Sequence, residues 1–300
     1  MKFKVILLLM SIILFTNVFS QNQTPLRKVA STYSKDVSSI LMNEDKYSSS
    51  KEVTVENNFA TYAKDSSPFT GKYVEFQKNN VKFIKSFKNG IYDGTLYFFY
   101  DNGNLLKVIN FKNGYEEGEE IEFYSSGVSK SSKNWKNGRL EGDSYEFTSD
   151  GKLNLSTQYS SNYKEGLEIK YSENVIIEKF NYKSGKLNGN YASYYLDGNL
   201  KTSGTYVSDL RNGEWKWFYP DGTLKISETY TNGHIAGKIL GYFPDGSTER
   251  IFNVVNGNGN FVQYYDNGTV KVKGSYFKYN PSGTWSFYNK DGNIVAENKY

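Results

Sequence analysis

One glycine returns every 22 to 24 residues, ten times, at Gly71, Gly94, Gly118, Gly142, Gly166, Gly189, Gly213, Gly237, Gly259 and Gly283. A fixed period of this length marks a repeat architecture, in which one supersecondary unit is copied and stacked on its neighbours. A chain of this kind is a scaffold first. Its function lies on surfaces made of similar modules, and no single motif names a ligand.

Counted from its leading glycine, each copy carries a ring five residues on: Phe76, Phe99, Phe123, Phe147, Tyr171, Tyr194, Phe218, Tyr242, Tyr264 and Tyr288. Nine residues on, eight copies carry a second glycine, and Asn80 and Val175 stand at the other two places. Near position 17 another aromatic returns in every copy, from Phe87 to Tyr300. Many copies close on Asn-Gly, as at Asn113-Gly114 and Asn137-Gly138. Aromatic and β-branched residues suit a pleated, half-buried surface. Glycine and asparagine accept the positive φ of tight turns. The apolar period is 2, as in Val270, Val272, Gly274 and Tyr276, where a helix would need 3.6. Each copy therefore reads as a β-hairpin and a turn into the next one.

The turns sharpen the register. Tyr219-Pro220-Asp221-Gly222 and Phe243-Pro244-Asp245-Gly246 place proline and aspartate in a type I turn, with glycine in the left-handed bulge position. This three-residue loop sets position 5 opposite position 11, which is apolar in Leu105, Leu153, Leu200, Leu224, Val270 and Ile294. By parity, positions 3, 5, 11 and 17 share one face, expected to be the better buried. Ten hairpins make about 20 strands, or ~95 Å of sheet at ~4.8 Å per strand. The expected fold is all-β: tandem hairpins in one long, twisted, antiparallel single-layer meander.

The organisation follows. Residues 1–20 read as a secretory signal peptide, with Lys2 and Lys4 before an apolar run from Val5 to Phe19 that is too short to span a bilayer comfortably. Residues 21–51 read as a mobile polar segment, 52–70 as a degenerate unit capping the first sheet edge, and 71–300 as the ten repeats. No cysteine follows the apolar run, so no lipoprotein anchor is expected, and the expected location is secreted or periplasmic. There are no cysteines at all, hence no disulfides and no Cys-based metal site. Losing the two lysines of the signal peptide takes the formal charge from +4 to +2. That near-neutral balance gives no footing for nucleic-acid binding, and no later segment is expected to cross a membrane.

The pattern Asn-Gly, three residues, Gly, four residues, aromatic-Tyr, one residue, Asp-Gly, one residue, Leu resembles the bacterial variant of the MORN repeat, often carried by proteins labelled YwqK-type antitoxin. The copies Gly189–Leu210 and Gly213–Ile235 and the run Pro68–Gly71 carry the resemblance best, and it covers about residues 60–300. It implies hairpin repeats and a non-catalytic, interaction-type role. Choline- and glucan-binding repeats are a looser likeness, being shorter and far richer in tryptophan than four in 300 residues.

The residues offer one binding surface. Position 6 carries Tyr100, Tyr124, Tyr195, Tyr219, Phe243 and Tyr265, and equivalent strands recur about every 9.6 Å. Tyr195, Trp215, Trp217, Tyr219, Phe243, Tyr265 and Trp285 are the candidate binding residues, as a row of platforms for a protein or a glycan. The competing reading has these rings covering the sheet by packing on each other and on lysine stems. Asp150, Asp197, Asp221, Asp245 and Asp291 precede glycine as turn residues, and one carboxylate per turn falls short of the six to eight oxygens calcium takes. His234, the one histidine, reads as a surface turn residue. Glu116, Glu117, Glu119, Glu120 and Glu122 read as a solvated edge, not as a paired-carboxylate site. No catalytic residue, metal or cofactor is expected. The expected function is an exported, non-catalytic scaffold for protein–protein interaction at the bacterial cell envelope. A carbohydrate-binding module and an antitoxin-like partner of a toxin are the alternatives.

Overall fold

The computed structural model describes residues 33, 36–41, 47–77 and 80–300. The signal peptide read at 1–20 lies outside the described residues, as does much of 21–51. The chain divides into two compact units, Met1–Gly138 and Arg139–Tyr300.

In the first unit, antiparallel strands run from Gly71–Gln77 to Ser129–Lys136, each pairing with the next. One sheet face buries Val74, Ile84, Tyr97, Val108, Ile121 and Phe123. A helical turn at 36–41 adds Val37 and Ile40 to that cluster, and Tyr33 meets Tyr97 edge-on at 6.2 Å. The segment read as polar and mobile thus supplies two apolar side chains at the i, i+3 spacing that shares a helix face. The other face buries Tyr73 and Phe87 against Val53, Ala60 and Phe69. Val53 and Ala60 belong to a separate two-stranded hairpin, Val53–Glu56 with Phe59–Tyr62. It is tied to the first repeat by Ala60 N–H donating to the Gly90 carbonyl at 2.8 Å. Burial, and then a 3.0 Å hydrogen bond from its hydroxyl to Glu75, push Tyr73 up to about 12.

The second unit repeats the plan from Gly142–Phe147 to Ile294–Lys299, again as consecutive antiparallel strands. Each unit is a meander of tandem β-hairpins. The register is the one expected: Phe99 faces Leu105, Phe147 faces Leu153, Phe218 faces Leu224 and Tyr264 faces Val270. Gly222 N–H donates to Tyr219 O at 2.9 Å and Tyr219 N–H to Thr223 O at 2.8 Å. Gly222 sits at φ +87, the left-handed conformation that the bulged turn requires. The copy led by Gly166, which lacks the second glycine, turns on two residues, Glu173 and Asn174, between the paired Ser172 and Val175.

The leading glycines have their own role. At Gly118, Gly166, Gly213 and Gly283, φ is +69 to +90, and the pairing with the preceding strand shifts register there. They are bulge residues.

One expectation about the faces needs correcting. Within each hairpin the register slips by one residue, for example between Trp217 and Phe218. Leu224 therefore shares the face of Phe218, while Tyr230 pairs with Gly213 and lies on the face of Trp215. Position 17 is opposite positions 3, 5 and 11, not beside them, because a bulge resets the alternation. In the second unit it is the position-17 face that holds the fully buried Trp215.

Candidate interaction surface

The position-6 tyrosines are fastened at their tips. Tyr100 donates to Phe123 O at 2.8 Å, Tyr195 to Phe218 O at 2.7 Å, Tyr219 to Tyr242 O at 3.0 Å and Tyr265 to Tyr288 O at 2.9 Å. Each bond reaches the next repeat. Lys201, Lys225 and Lys271 lie 5.2–5.6 Å from the ring centres of Tyr195, Tyr219 and Tyr265. These rings and Phe243 are half-buried. They cover the sheet, and the four tyrosines join neighbouring modules through their engaged hydroxyls.

The tryptophans divide. Trp217 is half-buried, but Trp215 is 0% exposed and Trp285 8%, so neither is an open platform as the sequence suggested. Trp215 stacks on Tyr191 at 5.4 Å, meets Tyr206 edge-on at 5.0 Å and donates Nε1–H to Thr205 O at 3.2 Å. The Arg211 guanidinium lies 4.5 Å from the Trp215 ring and 5.4 Å from that of Tyr230. Burial works against its charge, but hydrogen bonds with Tyr230 and Tyr206 outweigh it and hold Arg211 above the ordinary arginine range.

The acids also serve the fold. Glu117 accepts from Asn137 N–H at 2.9 Å and Glu141 from Ser161 N–H at 2.9 Å, each capping the following turn. Glu120, read as part of a solvated edge, is buried between Lys107 Nζ at 2.9 Å and Trp135 Nε1 at 3.0 Å. Its position-2 partner in another repeat, Glu168, is likewise buried and accepts from Thr157 Oγ1 at 3.0 Å and from Lys164. The turn aspartates accept backbone N–H bonds two residues on, Thr223 to Asp221 at 2.8 Å and Ser247 to Asp245 at 2.9 Å. The backbone bond holds the Asp221 carboxyl below the usual range, and at Asp245 the Ser247 hydroxyl, which donates at 2.6 Å, does so first and the backbone bond second. Among the described residues no group of three or more metal-ligating side chains gathers. Two recesses in the first unit, of about 470 and 290 Å³, share Phe99, and Asp101 is the one carboxylate lining either.

What sequence reasoning missed is the rim. Three residues before Gly118, Gly166 and Gly213 stands a large exposed side chain that lies over the turn glycine of the next repeat. Tyr115 is 62% exposed, Tyr163 61% and Leu210 46%. A Cβ on Gly138, Gly185 or Gly233 would stand 3.3–3.4 Å from Tyr115, Tyr163 or Leu210 respectively. The signal was legible in the fixed spacing to the leading glycine.

Four stretches match the MORN repeat variant: residues 92–113, 116–137, 211–232 and 258–278. Four of the chain's repeats are thus similar to the MORN repeat variant. The matched stretch 211–232 carries Arg211, Trp215, Trp217, Tyr219 and Tyr230, while Tyr191 and Tyr206, which also pack on the buried indole, lie in the preceding copy. No curated protein matches the chain. Among solved structures, the GtfA/B complex bound to UDP and GlcNAc is similar at 15% identity over 38% of this chain and 22% of that one, with a TM-score of 0.16. TcdB2-TccC3 matches at 10% identity over 81% and 17%, TM-score 0.18. Choline binding protein F from Streptococcus pneumoniae matches at 13% over 81% and 92%, TM-score 0.17. The chain spans less than a quarter of the first two. Likeness at TM-scores this low says nothing of function.

Proposed function

We propose that this repeat chain is an exported, non-catalytic scaffold that engages a protein partner at the bacterial cell envelope. The rim carries the reading. In the second unit, Tyr163 and Leu210 keep large apolar surfaces in water while resting on the next turn's glycine. Large apolar side chains held exposed in fixed positions are suited to protein contact. The glycan alternative leaned on the position-6 rings, and Tyr195, Tyr219 and Tyr265 have their hydroxyls committed to backbone carbonyls. Export rests on Lys2, Lys4 and the apolar run to Phe19.

A photo-crosslinking residue at position 163 or 210, introduced in the native host, tests the proposal. Expected is a discrete adduct in the envelope fraction from both positions and none from position 221, in a hairpin turn. Adducts of equal yield from all three positions, or a chain retained in the cytoplasm, overturn it.

A further inference from the structure

The second unit contains the same aromatic cassette twice, and only one copy supplies its own cation. In the first, Trp215 lies on Gly204, where a Cβ would be 2.2 Å from the indole; in the second, Trp285 lies on Gly274 at the same 2.2 Å. Trp215 stacks on Tyr191 at 5.4 Å and 25°, and Trp285 on Phe261 at 5.7 Å and 23°. The edge-on ring is Tyr206 at 5.0 Å in one and Tyr276 at 5.3 Å in the other. The outer ring is Tyr230 at 6.4 Å in one and Tyr300 at 6.4 Å in the other. Nε1–H donates to Thr205 O at 3.2 Å and to Ser275 O at 3.1 Å.

The two differ at the strand position paired with the edge-on tyrosine. Opposite Tyr206 stands Arg211, and opposite Tyr276 stands Pro281. Arg211 places its guanidinium 4.5 Å from Trp215 and donates Nη1–H to Tyr230 OH at 3.1 Å. Pro281 has neither charge nor donor. The residue paired with the tryptophan also changes, from Glu228 to Asn298, whose amide oxygen remains an acceptor. Trp285 keeps 8% exposure where Trp215 has none, and Tyr300 is 65% exposed.

Aromatic rings around a point bind a cation through their negative faces, and tryptophan does so best. The Arg211 site shows which cation this geometry fits. We propose that the Trp285–Tyr300–Tyr276 cassette receives an arginine side chain from a protein partner, held as Arg211 is held over Trp215. The proposal rests on the protein-interaction reading above and supplies one chemical requirement of the partner, a protruding arginine.

The full chain labelled with 5-fluorotryptophan gives one 19F signal for each of its four tryptophans, assigned by single Trp→Phe variants. Titration with N-acetyl-arginine amide is expected to shift the Trp285 signal saturably and leave Trp215 in place. The neutral isostere N-acetyl-citrulline amide is expected to do neither. Pro281→Arg should weaken the response at least roughly tenfold by supplying the cation in cis, and Pro281→Gln should retain it. Circular dichroism checks that both variants fold, and the unmodified chain decides alone if one does not. An unmoved Trp285 signal, an equal response to citrulline, or an equal shift at Trp215 overturns the proposal. A silent Trp285 with intact rim adducts removes the arginine site and leaves the interaction reading standing. An arginine response without rim adducts does the reverse.

Discussion

Trp215 lies flat on Gly204, and a Cβ on that glycine would stand 2.2 Å from the indole Cδ2. The glycine is there for the ring above it, since its own φ is not in the left-handed region. Gly204→Ala should destabilise the second unit by about 2–3 kcal/mol through overpacking. Gly222→Ala meets no atom within 4 Å but sits at φ +87, and should cost about 1–2 kcal/mol from backbone strain alone. Urea unfolding of the two variants checks the order. The Trp215 fluorescence environment should change only in the first.

Tyr219→Phe removes the 3.0 Å hydrogen bond to Tyr242 O and keeps the ring. A net loss of about 1 kcal/mol is expected. Phe243 already occupies the equivalent place in the following repeat, so the fold tolerates the change. Tyr219→Ser should cost more, because the covering ring goes as well. Equal losses in denaturant would show that the ring contributes nothing.

Tyr73 provides a pH test. Its folded pKa is raised to about 12 from an ordinary 10.0, by burial first and the Glu75 contact second. The folded state then holds the proton more tightly than the unfolded chain, so this contribution is complete below pH 10.0 and is lost as pH rises through the folded value. The urea midpoint should fall across that alkaline window, and Tyr73→Phe should flatten the fall. A midpoint whose alkaline slope is unchanged in Tyr73→Phe contradicts the assignment.

Ile40 is 6% exposed and packs in the cluster with Val74, Ile84 and Ile121. Ile40→Ala should cost about 2–4 kcal/mol in the first unit. If residues 36–41 contributed nothing to that core, the substitution would fall within about 0.5 kcal/mol of wild type, as surface changes do.

Much of the fold was written in local turn chemistry. Pro220-Asp221-Gly222 specifies a bulged turn, and that turn alone sets Phe218 opposite Leu224. Parity failed one step later, because the slip at Trp217/Phe218 lies inside the strands, where no proline or glycine announces it. The helical turn at 36–41 lies in a stretch, Thr24 to Met42, that reads at most as a weak helix among serine clusters, and its Val37 and Ile40 are meaningful only once a sheet face exists to receive them. The candidate binding row failed at Trp215 for a related reason. A large ring on a single-layer sheet reads as exposed until the glycine beneath it and the arginine above it are seen together. The rim of Tyr115, Tyr163 and Leu210 was legible in spacing but lacks the regular chemistry that draws attention.

The tyrosine bonds of Tyr100, Tyr195, Tyr219 and Tyr265 all run 23 residues forward. A duplicated copy of that length would arrive with both ends of its own fastening already in place. Chains of this design can therefore grow or shrink by whole modules, and their reach along a partner is set by gene duplication instead of by redesign of a core.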